Sequence, residues 1–139
     1  MTLILSYRNA AHNPPLFWQA STQTVQHLDT KDGMLVGLDV DTRYSEAQVE
    51  LASGDTVLYY TDGVTDASDQ RGDRFDEERL QIAFRWACQN QSGSQAILDY
   101  IFGEVETFVG PGSHNTDDMT LVVLQVRPTP SSEENQDNA

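Results

Sequence analysis

The hydrophobic pattern changes its period part-way along the chain. "LILSYRNA" (3–10) and "PLFWQAS" (15–21) are short runs of strand formers, separated by "AHNPP", a cluster of turn formers. "TVQHL" (24–28) predicts a third strand. "TKDGMLVGLDVDTRYSE" (30–46) has two glycines and many polar residues, and predicts a long loop anchored by Met34–Val36. "AQVELA" (47–52) alternates as a half-buried strand does, "SGD" (53–55) is a tight turn, and "TVLYYT" (56–61) is apolar enough throughout for a central strand. Together these last three segments predict a β-hairpin.

After "DGVTDASDQRGDR" the period becomes helical. In "FDEERLQIAFRWACQ" Leu80, Ala83, Phe84, Ala87 and Cys88 share one face, while Asp76, Glu77 and Glu78 crowd the first turn, where they complement the helix dipole. A second helix over 94–108 sets Ile97, Ile101, Val105 and Phe108 on a common stripe, and "VGPGSHNT" ends it. "MTLVVLQV" (119–126) is the most strand-like segment of all. Beyond Arg127, "PTPSSEENQDNA" is polar and acidic and predicts a disordered tail over 128–139. The elements describe an α+β fold with antiparallel sheets and helices, and residues 1–127 make up one domain or part of one.

Composition narrows the partners. A net charge of −14 argues against nucleic acid or an anionic membrane surface and suits a cation or a basic partner, although solubility explains much of it. The single cysteine, Cys88, excludes an internal disulfide and a cysteine-based zinc site; it reads as a small core residue. The apolar run Leu3–Leu5 is too short for a secretory signal, and no run is long enough to span a bilayer, so the expected location is the cytoplasm.

Carboxylates border the two most apolar strands. Asp62 follows "TVLYYT", and Asp117 with Asp118 precedes "MTLVVLQV". Either group alone is ordinary turn chemistry. Acids gathered beside buried strands repel one another and lose solvation, so the pair of clusters suggests a hard divalent cation held by oxygen, Mg²⁺ or Mn²⁺. "DVDTRYSEAQVE" (39–50) has acids at three positions of an EF-hand loop, but Arg43 and Tyr44 occupy positions that the loop cannot give to those residues. Calcium binding of that kind is excluded. "RGD" (71–73) reads as a polar turn rather than an adhesion motif.

Taken in order, "YRNAAHNPPLFW", "GMLVG", "YTDGVTDA", "GDRFDEERL" and "TDDMTLVVL" resemble the SpoIIE-like branch of the metal-dependent protein phosphatases, the protein phosphatase 2C or PPM superfamily. The resemblance runs from about Leu5 to Val126. It implies an αββα sandwich, of which this chain carries the later part. It also implies hydrolysis of phosphoserine or phosphothreonine in a regulatory protein by a water that two Mg²⁺ or Mn²⁺ ions bridge and activate, with no phosphoenzyme and no catalytic side chain beyond the metal-activated water. By motif position Asp62, Gly63 and Asp117 belong to the metal site, Gly63 through its tight turn beside the ions, and Asp66 matches a position that helps hold a third ion. Asp118 and His12 are candidates to orient the site rather than bind. His12 also has an ordinary reading as a loop residue beside two prolines, His114 as an exposed loop residue, and His27 as a strand-surface residue. Ala11 and Asp76 stand where the family usually has glycine, which should alter loops more than chemistry.

The family domain normally opens with "G-D-x-x-G-H-G" or "G-D-V-S-G-K-G" and two long helices, which supply the aspartate that bridges both ions. Nothing here matches that segment. The expectation is a chain incomplete as a catalyst, with an exposed apolar sheet face or edge, that pairs with the missing N-terminal half or with itself. The alternative is a non-catalytic, phosphatase-like binding module that engages a signalling regulator and needs no metal.

Overall fold

The computed structural model describes residues 3–8, 13–28, 46–111 and 118–127. In chain order these form β1 (Leu3–Arg8), β2 (Leu16–Gln19), β3 (Thr24–His27), β4 (Glu46–Leu51), β5 (Thr56–Tyr60), α1 (Asp62–Thr65), α2 (Asp76–Asn90), α3 (Ser94–Val109) and β6 (Leu121–Gln125). The loop around Met34–Val36, together with His12, His114, Asp117 and the tail over 128–139, lies outside the described residues.

All the strand pairs are antiparallel. Four strands form one sheet in the order β3-β2-β5-β6, and β1 pairs with β4 in a second. β5 is central, as its unbroken apolar run predicts. The reason is visible in its alternation. Leu58 faces α2 and α3 with Leu16, Trp18 and Leu121. Val57 faces the other way, with Phe17, against Leu51 and the partly buried Leu5 and Val49 of the second sheet. A strand covered on both faces has no polar side to show.

The helices close one side. Leu80, Ala83, Phe84 and Ala87 of α2 and Ile97, Ile101 and Val105 of α3 are buried, while Cys88 and Phe108 are half-buried at the margin. Both stripes agree with the helical periodicity. The layers are therefore helix, sheet, sheet.

The predicted hairpin does not form. β4 aligns with β1, Leu51 opposite Leu3, and β5 aligns with β2 and β6. "SGD" moves the chain from one sheet into the other instead of turning it back along itself. Asp55, 3% exposed, accepts hydrogen bonds from the Ala52 amide at 2.8 Å and the Ala20 amide at 2.9 Å. Gly54 turns with φ of 87°, and its amide donates to the Val126 carbonyl at 2.8 Å. The polar groups of the turn are thus satisfied by the ends of β2 and β6, so no β4–β5 ladder is needed.

One edge remains apolar and open. Leu3, Ile4, Val122 and Leu124 are all exposed, and an open groove of about 440 Å³ runs between Leu3, Leu51 and Leu124 where the two sheets meet. β6, the most strand-like segment of the sequence, is an edge strand among the described residues. Among the described residues no helix is long and apolar enough to cross a membrane.

Candidate metal centre

The end of β5 and the start of β6 are clipped together through one threonine. The Thr61 amide donates to the Thr120 carbonyl at 3.1 Å, and the Thr120 amide donates to Thr61 Oγ1 at 3.0 Å. The Thr61 hydroxyl in turn donates to the Asp118 carbonyl at 3.4 Å. The β5–β6 ladder therefore continues past the last strand residues and holds the two acidic strand ends side by side.

Thr61 is still extended, with φ of −102° and ψ of 162°, and α1 begins at the next residue. Sequence periodicity predicts only a turn here. The single helical turn carries Asp62 at its start, and the Asp66 amide closes it onto the Asp62 carbonyl at 2.7 Å. Gly63 lies against the facing chain: a Cβ at that position would sit 2.2 Å from the Asp118 carbonyl oxygen and 2.8 Å from its carbon. Only glycine allows the two backbones this approach.

Three of the four described candidates come together, and the fourth stands beside them. Gly63 and Asp118 are in backbone contact, and Asp62 heads the turn that contains Gly63. Asp66 stands one turn on, with its carboxylate 3.5 Å from Arg74 Nη1 and partly exposed. Asp62 is exposed and accepts a hydrogen bond from Asn13 Nδ2 at 2.5 Å. That contact reaches across from the connection between β1 and β2, and sequence reasoning assigned Asn13 no role. The asparagine stands in the "HNPP" stretch that carries the resemblance, which was the available signal. Asp55 was missed likewise; a "GD" before a buried strand was its signal.

Tyr60, the residue before Thr61, is held beside the second polar network. Burial pushes its hydroxyl pKa upward, and the neighbouring Glu77 and Asp62 add to the effect. Tyr60 donates to Glu77 at 3.4 Å, and Glu77 also pairs with His27. His27 is exposed on β3, as a strand-surface residue should be, and this contact ties it to the first turn of α2. The "RGD" segment is a turn, in which Asp69 accepts the Arg71 and Asp73 amides at 2.9 Å each.

The donor set suits a hard cation. Asp62 and Asp118 carry carboxylates, and the Asp118 carbonyl lies at the contact that a side chain on Gly63 would fill. Among the described residues no three His, Cys, Asp or Glu side chains gather closely enough to enclose an ion, so the set in view is partial. Burial pushes the Cys88 thiol up to about 12, and among the described residues it joins no cluster of His, Cys, Asp or Glu side chains.

Residues 2–127 match the SpoIIE family, stage II sporulation protein E. The chain belongs to that family. It is 25% identical over 120 residues to the phosphoserine phosphatase RsbU of Bacillus subtilis, a match covering 86% of this chain and 34% of that protein. It is 29% identical over 120 residues to protein IcfG of Synechocystis, covering 86% of this chain and 18% of the relative. The chain thus spans about a third or less of the curated relatives it matches. The fold is that of the PP2C phosphatase domains. The SiaA-PP2C domain of Pseudomonas aeruginosa superposes with a TM-score of 0.67 at 21% identity, over 88% of this chain and 46% of that one. The resemblance of the five ordered motifs and the expected α+β sandwich are both borne out.

Proposed function

We propose that the chain supplies one side of a Mg²⁺- or Mn²⁺-dependent phosphatase site, acting on phosphoserine or phosphothreonine in a regulatory protein. The observation that carries this reading is the contact between Gly63 and the Asp118 carbonyl, which joins the two acidic strand ends at one place. RsbU, a relative over most of this chain, is a phosphoserine phosphatase by name.

In this reading Asp62 and Asp117 bind the ions, Gly63 lets the backbone approach them, and Asp66 takes part where a third ion is held. The bound ions would supply a water of lowered pKa as the nucleophile and neutralise the phosphoryl oxygens. Neutralisation matters here more than usual. A phosphate dianion approaching a chain of net charge −14 is repelled until cations occupy the acidic strand ends. The Thr61 clip fixes the spacing of those ends, and Arg74 offsets the charge of Asp66. Asp118 and His12 act on the geometry of the loops.

The second reading is a metal-free binding module that engages a signalling regulator. The exposed edge at Leu3, Ile4, Val122 and Leu124 fits either reading, as a surface for the rest of a phosphatase domain or for another copy of the chain.

Hydrolysis of a chromogenic phosphate monoester with and without Mn²⁺, beside Asp62→Asn, separates the readings. Metal-dependent turnover that Asp62→Asn abolishes supports the phosphatase, whether the chain acts alone or with an added N-terminal half of the domain. No turnover in either arrangement supports the binding module.

A further inference from the structure

We infer that Asn13 is a positioning residue for the metal site, orienting the Asp62 carboxylate through its side-chain amide. The inference rests on the divalent-cation reading above and assigns to it a residue from a different part of the chain.

Three observations carry it. First, Asn13 Nδ2 donates to Asp62 Oδ1 at 2.5 Å, across 49 positions of sequence. An ionised carboxylate only accepts, so the amide must present its nitrogen and not its oxygen. Second, Asn13 stands on a stiff support. Pro14 and Pro15 follow it, fixing their own φ and holding Asn13 extended. Pro15 is buried, and its carbonyl accepts the Leu28 amide at 2.9 Å, which anchors the segment to the end of β3. Third, the contact does little for the fold. Asp62 is exposed and Asn13 only half-buried, and neither belongs to a hydrophobic cluster. A stiff donor aimed at an exposed carboxylate is more than stability requires.

The chemistry suits a metal ligand. With Oδ1 engaged, rotation of the carboxylate is stopped and its remaining lone pairs are held in a set direction. A neutral donor does this without competing for the negative charge that binds the cation, as a lysine or arginine would. Outer partners of metal-binding carboxylates commonly change metal affinity by about 10–100-fold when removed.

The test is Mn²⁺ affinity of the full chain by calorimetry, with the metal-free thermal midpoint measured for each variant. Asn13→Leu keeps the side-chain shape and removes the donor; Asn13→Gln keeps the amide one methylene further out; Asp62→Asn is the reference. Asn13→Leu should weaken Mn²⁺ binding by about 10–100-fold with an unchanged metal-free midpoint, and Asn13→Gln should lose less. Unchanged affinity in Asn13→Leu, with Asp62→Asn crippled, overturns the role of Asn13 and leaves the metal reading standing. Equal losses in both Asn13 variants, tracking a lowered metal-free midpoint, make the residue structural and also overturn the role. If Asp62→Asn binds Mn²⁺ like the wild type, the metal reading itself fails and this inference falls with it.

Discussion

Gly63 and the Asp118 carbonyl are in direct backbone contact, so close that a single added methyl group would lie 2.2 Å from the oxygen. This contact brings the end of a central strand against the start of an edge strand. Gly63→Ala should therefore push the chains apart and cost about 2–4 kcal/mol. Urea denaturation, read as a lowered midpoint at unchanged slope, checks it. Mn²⁺ binding should fall in the same variant.

The buried Asp55 is predicted to matter as much, for a reason unrelated to metal. Its carboxylate takes the Ala20 and Ala52 amides. Asp55→Ala orphans both donors and should cost about 2–4 kcal/mol. A thermal midpoint within a degree or so of the wild type would show that the turn does not depend on it.

Asp76 occupies a left-handed conformation, φ 61°, at the head of α2, where the resemblance leads one to expect glycine. The aspartate compensates by accepting the Arg79 amide on Oδ1 at 3.0 Å, as a helix cap does. Asp76→Gly trades the cap for relief of about 1 kcal/mol of strain and should be neutral within about 1 kcal/mol. Asp76→Ala keeps the strain and loses the cap, and should cost about 1–2 kcal/mol. Denaturation of the two variants side by side measures the difference.

Burial pushes the Cys88 thiol from 9.0 up to about 12, with a hydrogen bond to Thr56 acting the other way. The neutral thiol is thus favoured in the fold, and above pH 9 the unfolded chain holds fewer protons than the native one. Its contribution to stability is complete below pH 9 and is lost as pH rises toward 12. Tyr60, raised mainly by burial, acts in the same direction. Urea midpoints at a series of alkaline pH values should decline, and Cys88→Ala should decline less steeply. At neutral pH the native chain should react slowly with thiol reagents.

Much of the fold was legible because its signals are local. The Leu80–Phe84 and Ile97–Val105 stripes repeat at helical spacing, and "TVLYYT" has no polar face because both of its faces are covered. The β4–β5 hairpin was misread because "SGD" looks the same whether it reverses a strand or hands it to another sheet. What decides is the long-range partners of Asp55 and Gly54, the Ala20 amide just past β2 and the Val126 carbonyl, both distant in sequence. The candidate site divides the same way. Asp62, Gly63 and Asp118 stand out beside their strands, whereas Asn13 reaches Asp62 only through the fold.

In the proposed function a divalent cation binds where β5 ends and β6 begins. With a net charge of −14, weak binding elsewhere must be distinguished from binding there. Titrating Mn²⁺ into the isotopically labelled chain, below one equivalent, and following amide signal broadening by NMR makes that distinction. Asp62, Gly63 and Asp118 should broaden first, and Asp62→Asn should remove the effect. Broadening that begins instead at Asp76–Glu78, or spreads evenly over the acidic surface and survives Asp62→Asn, would contradict it.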